Sequence, residues 1–219
     1  KVPYMETISS SSKVEYRHKK QSGGHGQFAH VWLELAPLPR GEGSQFESKV
    51  VGGTVPKEYI PGVQKGVNKA MVEGVLAGHL VVDVKATLVD GSFHPVDSSG
   101  IAFEIAGGNA FSKGLKEASP ILLEPVMMVA VTVPDANTGD VIGDLNGKRA
   151  RILGMTPDGS GLTVIEAHVP QAEVLRYATD LRSLTQGKGL FTMKFDRYEQ
   201  VPSDLVQRII VTKDQSSES

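Results

Sequence analysis

Cysteine is absent from the 219 residues, aromatic side chains make up only 6% of them, and tryptophan occurs once. The lack of cysteine excludes disulfides and thiolate metal sites, and it is consistent with a reducing compartment. No apolar run approaches the roughly 20 residues that span a bilayer, and the amino end lacks a signal-peptide pattern. The sequence therefore predicts a soluble, cytoplasmic protein that does not contact membranes.

A strong excess of charge is also missing, since the formal net charge is -2 at pH 7. A chain of this charge has no global attraction for nucleic acid, so RNA contact must come from local patches or from shape. The 40% of apolar residues can supply a core for each of two domains.

Catalytic and metal-binding signatures are scarce. Residues 143–149 resemble a phosphate loop, but the spacing is wrong and no Ser or Thr is placed to hold magnesium. The histidines are scattered, so no metal site is predicted. Ser92, His94 and Asp97 are the residue types of a hydrolase triad, although no nucleophile elbow is present. A hairpin tip in which Asp97 or Ser98 caps the next helix is the favoured interpretation, and a small hydrolase is the alternative.

The second half of the chain has a clear order of elements. Residues 126–133 form a continuous apolar run typical of a strand, and residues 139–145 have helical spacing. A hairpin, a helix after Pro170 and a half-buried strand follow. The predicted ranges are 151–155 and 162–169 for the hairpin and 190–198 for the last strand, and the helix carries Ala172, Leu175, Ala178 and Leu181 on one face. This order predicts a ferredoxin-like (βαββαβ) domain.

The first half begins with strands and continues with helices. Apolar residues four apart, from Val63 to Val75, predict a helix that starts at Pro61. A further helix is capped by Ser98 or Ser99. The predicted strands are residues 14–20, 29–35, 46–51 and 82–88. We therefore predict an α+β domain over residues 1–120, a second domain over 121–201, and a C-terminal helix with a disordered tail over 202–219, frayed from residue 215.

Two small basic regions are candidates for phosphate contact. The glycine-rich loop of residues 21–27 follows a basic strand with Lys13, Arg17, Lys19 and Lys20, and backbone amides and cations both favour anions. A merely flexible hairpin explains this loop equally well. Lys148, Arg149 and Arg151 form the second cluster, but cations near a helix C-terminus are also favoured by the helix dipole.

Several long segments resemble one known family. Residues 21–27 with Val31, residues 51–61, and residues 90–94 with 96–99 closely resemble domain IV of elongation factor G. Residues 123–125, 139–146, and 177–183 with 185–187 resemble its domain V. The resemblance covers nearly the whole chain, in order and at the family's spacing.

The resemblance implies a fold, a task and partners. It implies an α+β chain of two domains, a ribosomal protein S5 domain 2-like fold with a left-handed crossover followed by the ferredoxin-like domain. It also implies the ribosome-binding part of a translational GTPase, in which domain IV acts as a wedge at the decoding site during translocation. The expected partners are rRNA of both subunits, tRNA and mRNA. GTP and magnesium are expected in the parent protein, and no cofactor, catalytic residue or oligomer is expected here.

The resemblance also implies which residues touch RNA. The two loops at the tip of domain IV match residues 21–27 and 91–98, with His94 as the leading residue because an imidazole can stack, donate or accept. The full tip prediction is Gly23, Gly24, His25, Gly26, Gln27, Ser92, His94, Pro95 and Asp97. Lys148, Arg149 and Arg151 are the phosphate-contact candidates in domain V.

Some residues depart from the family's usual pattern. They are Met5, His25, Pro95 and Gly100 in the first domain and Ala150, Gln171 and Arg176 in the second. These departures leave open a paralogue that acts in ribosome recycling or regulation.

Overall fold

The computed structural model describes residues 1–21 and 23–217, with side chains up to residue 212. The chain forms two compact units. The first unit comprises residues 4–123 and the described residues from 200 onward, and the second comprises residues 1–3 and 124–199. The predicted division at residues 120 and 201 stays a prediction. Within the described part of the chain, no helix is long and apolar enough to cross a membrane.

The first unit is built on a four-stranded sheet covered by two helices. The strand order is β2-β3-β5-β4, with β4 parallel to β5 and the other pairs antiparallel. Helix α2 packs on the face that carries Val14 and Leu35, because a Cβ added at Gly114 would meet both side chains within 3.1 Å. The elements are β1 (Met5–Ile8), β2 (Ser12–Lys20), β3 (Gln27–Pro37), β4 (Gln45–Ser48), α1 (Ile60–Glu73), β5 (Val84–Ser92), α2 (Gly100–Glu117) and the C-terminal α5 (Ser203–Ser217).

The second unit has the predicted ferredoxin-like order. Its elements are β6 (Pro120–Pro134), α3 (Thr138–Gly147), β7 (Arg151–Pro157), β8 (Leu162–Pro170), α4 (Tyr177–Thr185) and β9 (Leu190–Gln200). Strand β6 pairs with β8 and β9, and β7 is at the edge next to β8. The first residues of β6 belong to the first unit, where they pair with β1. The α+β fold class is confirmed.

Most predicted elements are present. The cap of α2 is Ser99, as one of the two predictions has it, and the prediction of Asp97 or Ser98 as the cap is wrong. Ser99 is the N-cap of α2, where its side chain accepts a hydrogen bond from the amide of Ala102 at 3.1 Å. Val63, Val67 and Met71 are buried on α1, as their spacing predicts. Val75 belongs to the same pattern but lies beyond the end of that helix.

Two predictions about the second unit are wrong in detail. Helix α4 begins only at Tyr177, after a short 3-10 turn at Gln171–Glu173, so Ala172 and Leu175 are not on it. Leu175 is 63% exposed, and Tyr177 fills the core position instead. In β9, Phe191 and Met193 pack against the core, but Phe195 is exposed.

The predicted C-terminal tail overlaps a helix. Its first residue, Gln215, belongs to α5, which extends to Ser217. Glu218 and Ser219, which the prediction also includes, lie outside the described residues.

Candidate nucleic-acid interface

The two predicted tip loops, residues 21–27 and 91–98, meet at the end of strand β3. The amide of Phe28 donates to the carbonyl oxygen of Asp97 at 2.9 Å. In return, the Ser98 hydroxyl donates to the carbonyl oxygen of Phe28 at 2.7 Å. These bonds join segments about 70 residues apart in the chain, so the loops form one structure. Ser22 lies outside the described residues.

His94 is held at this tip with one ring nitrogen facing inward. Its Nδ1 accepts hydrogen bonds from the amides of Val96 at 3.1 Å and Asp97 at 3.0 Å. Two N–H donors on Nδ1 place the proton of the neutral imidazole on Nε2. Its side chain is 49% exposed, and no hydrogen bond to Nε2 comes from the described residues. The ring therefore presents an N–H donor to the outside.

Gly26 and Asp97 pack closely where the two loops touch. A Cβ added at Gly26 would lie 2.7 Å from Oδ2 of Asp97, whereas Cβ atoms at Gly23 and Gly24 would meet nothing within 4 Å. Gly23 has a φ of +52°, which favours glycine. The carboxylate of Asp97 also lies 3.7 Å from Nδ1 of His94. Asp97 thus shapes the tip.

The remaining predicted tip residues divide between exposed and tethered positions. His25 and Pro95 are exposed. The side-chain oxygen of Gln27 is hydrogen-bonded to Nε2 of His18 at 2.8 Å, so its amide nitrogen remains available to a ligand. Ser92 lies at the end of β5.

The Ser92, His94 and Asp97 triad of the alternative hydrolase hypothesis is not assembled. The Ser92 hydroxyl is hydrogen-bonded to Nδ1 of His30 at 3.1 Å, not to His94. The Nε2 of His30 is bonded to Glu15 at 2.8 Å, which makes a polar ladder across three strands. Because Nδ1 of His94 already accepts two backbone amides, it is not placed as a base for Ser92.

Lys148 and Arg149 are engaged with carboxylates inside the second unit. Lys148 Nζ lies 2.9 Å from Asp144 and 3.1 Å from Asp180. Burial alone would lower the pKa of Lys148, but hydrogen bonds to these two carboxylates outweigh it and raise that pKa. Arg149, at a φ of +57°, makes a bidentate pair with the buried Glu124 at 2.7 and 3.0 Å. Both cations have structural partners, and their phosphate contacts stay predictions.

Arg151 is differently placed from its two neighbours in the cluster. It is exposed on the edge strand β7, and its guanidinium lies 3.1 Å from Nδ1 of His168. Arg197 approaches the same imidazole from β9, at 3.4 Å. Of the three predicted cations, Arg151 has the most open position.

Sequence reasoning missed Phe28 and Ser98 as the residues that join the tip loops. The alternation along β3 could have shown that Phe28 points away from the buried face, because Ala29 and Val31 are core residues. The bonds between its backbone and residues 97 and 98 have no signal in a single sequence, since they depend on how two distant loops meet. Within the described residues, no three His, Asp or Glu side chains are grouped to hold a metal ion.

Comparison with known proteins assigns the two halves of the chain to successive parts of one protein. The family described as "Elongation factor G, domain IV" matches residues 1–119, which include both tip loops. The chain belongs to the elongation factor G family. The family described as "Elongation factor G C-terminus" matches residues 121–209. Residues 1–119 and 121–209 therefore correspond to the domain IV and C-terminal portions of this family.

Two relatives illustrate the similarity. An elongation factor G-like protein of Thermotoga maritima is 51% identical over 210 residues, which cover 96% of this chain and 31% of that protein. A crystal structure of a Thermus thermophilus protein superposes with a TM-score of 0.85 at 44% identity, covering 98% of this chain and 32% of that one. The chain thus spans about a third of the length of these relatives.

Proposed function

We propose that this chain is the ribosome-binding portion of a translational GTPase that promotes movement of tRNA and mRNA. In this proposal the tip loops of the first unit enter the decoding site and act as a wedge that prevents backward slippage. The observation that supports it best is the pair of hydrogen bonds between Phe28 and residues 97 and 98, at 2.7 and 2.9 Å. A wedge must be stiff, and these hydrogen bonds hold the two loops together as one rigid structure.

The chemistry of the tip fits contact with RNA by shape and hydrogen bonding. Gly23 and Gly24 have open space around them, so the backbone can approach another surface closely. The outward Nε2–H of His94 can donate to a phosphate, a ribose or a base edge, and its ring can stack. The amide nitrogen of Gln27 adds a second donor.

The second unit is proposed to face rRNA of the large subunit. Arg151 is the strongest phosphate-contact candidate there because its guanidinium is exposed and no carboxylate among the described residues pairs with it. Lys148 and Arg149 would first have to leave Asp144, Asp180 and Glu124. They are therefore proposed as weaker phosphate-contact candidates than Arg151, and their ion pairs also hold the shape of the unit.

The wider assignment follows the family. The 219 residues are proposed to act without catalysis of their own, as a monomer in the cytoplasm, with rRNA of both subunits, tRNA and mRNA as partners. GTP and magnesium are proposed to bind elsewhere in the parent protein.

A paralogue that acts in ribosome recycling or regulation is the second candidate. It is favoured by the name of the Thermotoga maritima relative, an elongation factor G-like protein, and by residues such as His25 and Pro95 that depart from the usual tip. An assay of mRNA movement separates the two, because a recycling factor would split ribosomes without moving mRNA.

A His94→Ala variant in the full parent protein tests the proposed function. We expect mRNA movement on ribosomes to slow by about tenfold or more, because about 1.4 kcal/mol of lost contact is a factor of ten. The matched control is Leu175→Ala, which removes a side chain that is 63% exposed in the second unit. An unchanged rate of movement in His94→Ala would overturn the assignment.

A pair of glycine variants tests whether the tip must be stiff. Gly26→Ala forces the Asp97 carboxylate to shift, whereas the control Gly100→Ala, at the start of α2, meets nothing within 4 Å. We expect slower mRNA movement only in Gly26→Ala. Equal rates in both variants would show that packing between the loops does not matter for movement.

A further inference from the structure

The open face of the first unit's sheet carries a row of aromatic side chains outside the tip loops. Along β3, Ala29, Val31 and Leu33 are fully buried on the helix-covered face. Side chains alternate along a strand, so Phe28, His30 and Trp32 point to the opposite face. The rings of His30 and Trp32 are 6.4 Å apart, and the Phe28 ring is 6.4 Å from that of His94. The row therefore begins at the tip and continues along the strand.

Cations from the neighbouring strand β2 border this row. The Lys13 Nζ lies 5.9 Å from the centre of the Trp32 ring, and the Arg17 Cζ lies 5.9 Å from that of Phe28. Contacts of this length between a cation and a ring face are mildly attractive. They also place a positive charge close to each ring, where it attracts an anionic ligand.

The charge on this face is unbalanced near the tip. Arg17 and Lys19 lie on this face, opposite the one that carries the buried Val14, and both are exposed. Neither forms an ion pair with the residues that the structure describes. The nearby carboxylates already have partners. Glu15 is bonded to His30, Glu34 lies 3.7 Å from Lys13, and Asp90 accepts from the amide of Gly91 at 2.8 Å. Two exposed cations without ion-pair partners favour an anionic ligand.

His30 separates the two larger rings and is fixed at both nitrogens. Ser92 holds its Nδ1 and Glu15 holds its Nε2, and its side chain is only 12% exposed. It is therefore a rigid spacer between Phe28 and Trp32, and it offers little surface of its own for stacking.

We propose that this face binds single-stranded RNA by stacking bases on Phe28 and Trp32. The phosphates then lie beside Arg17 and Lys19. Other four-stranded sheets bind RNA through aromatic side chains on an open face, and base stacking with a charged groove is the common mode for single strands. Duplex RNA does not fit, because its bases are already stacked on one another. The site lies beside the tip loops and does not depend on their entry into a decoding site.

The single tryptophan of the chain makes the stacking observable. Because Trp32 is the only tryptophan, its fluorescence reports on this face alone. Titration of the 219-residue protein with short oligoadenylate or oligouridylate RNA should give saturable quenching. The absence of saturable quenching, or equal quenching by duplex RNA or by a polyglutamate peptide, overturns the proposal.

Variants test the assigned residues one group at a time. Phe28→Leu should weaken RNA binding by roughly five- to 160-fold, the range expected when one stacking ring is lost, whereas Phe28→Tyr should retain it. The double variant Arg17→Ala with Lys19→Ala should weaken binding and reduce its salt dependence. Circular dichroism establishes that each variant is folded. Unchanged affinity in folded Phe28→Leu or in the folded double variant contradicts the assignment.

Two control variants separate this site from the proposed wedge. Phe195→Leu changes an aromatic side chain that is 54% exposed in the second unit, and it should leave RNA affinity unchanged. Leu175→Ala, which removes a side chain that is 63% exposed in the second unit, should also keep the affinity within about twofold. Oligonucleotide binding that is lost in His94→Ala and retained in Phe28→Leu would mean that the tip, and not the sheet face, holds the RNA.

Discussion

At the scale of single residues, most buried polar side chains have hydrogen-bond partners, and a few have none among the described residues. The buried carboxylate of Glu6 accepts hydrogen bonds from the amides of Val75, Leu76, Ala77 and His79 at 2.7 to 3.1 Å. Tyr177 is the opposite case. Its ring is 1% exposed and packs edge-on against Phe191, but its hydroxyl has no hydrogen-bond partner among the described residues.

The Tyr177 hydroxyl makes the second unit sensitive to alkaline pH. Burial, helped by the charges of Asp144 and Asp180, raises the pKa of Tyr177 above its ordinary value near 10. The unfolded chain therefore releases this proton first, so unfolding releases a proton above about pH 10 and the free energy of unfolding falls as pH rises. Below about pH 9 both states keep the proton and this effect is absent.

A Tyr177→Phe variant tests this explanation. We expect it to be more stable than the wild type by about 1 kcal/mol at neutral pH, because an unpaired buried hydroxyl is removed. The gain should increase above about pH 10. Urea denaturation followed by circular dichroism at neutral and alkaline pH measures both effects. A difference that is the same at every pH would show that Tyr177 does not titrate differently in the folded state.

At the scale of elements, the contact between α1 and α2 depends on glycine. A Cβ added at Gly66 would meet the carbonyl oxygen of Glu104 and would lie 2.8 Å from the amide nitrogen of Gly108. Gly107 has similarly little space, since its Cβ would lie 2.8 Å from the carbonyl oxygen of Val63. Backbone atoms cannot move aside as side-chain ends do. The two helices that support the sheet therefore approach each other at positions where only glycine fits.

Gly66→Ala should destabilise the first unit by about 2 kcal/mol or more, because the gain in helix propensity of about 1 kcal/mol is smaller than the cost of separating the helices. The matched control is Gly143→Ala in α3, where a Cβ meets nothing within 4 Å. That variant should be stabilised by up to about 1 kcal/mol. Urea denaturation measures both, and a Gly66→Ala variant as stable as Gly143→Ala would refute the close contact.

At the scale of the whole molecule, a formal net charge of -2 means that attraction to RNA is local. The exposed cations on which the proposals depend are Arg17 and Lys19 in the first unit and Arg151 in the second. A few phosphate contacts give weak binding with a modest salt dependence. RNA binding by the isolated chain should therefore depend on shape complementarity more than on long-range electrostatic attraction.

Binding of the isolated chain to ribosomes should be weak and sensitive to salt. With about three phosphate contacts, raising the salt from about 50 to about 200 mM should weaken binding roughly 20- to 40-fold. Co-sedimentation with ribosomes over a range of salt concentrations measures the slope. The Arg151→Ala variant should reduce the slope of log affinity against log salt concentration by the amount expected for one lost phosphate contact. Tight binding that does not change with salt concentration would contradict the prediction.

The order of elements was readable from the sequence because periodicity is a local property. The alternation in residues 190–193, the buried stripe of α1 and the Ser99 cap each involve residues within a few positions of one another. The start of α4 was misjudged because Ala172 and Leu175 fit the helical period, but the chain makes a 3-10 turn before Tyr177. The local pattern alone could not show that Tyr177, and not Leu175, fills the core position.

The sequence by itself determined the fold class, the order of strands and helices, and the family to which the chain belongs. Only the tertiary structure decided which polar groups meet. The joining of the tip loops through Phe28, the pairing of Ser92 with His30, and the pairing of Arg149 with Glu124 all connect residues far apart in the chain. Such contacts depend on how folded elements pack together, and packing has no period that a single sequence displays.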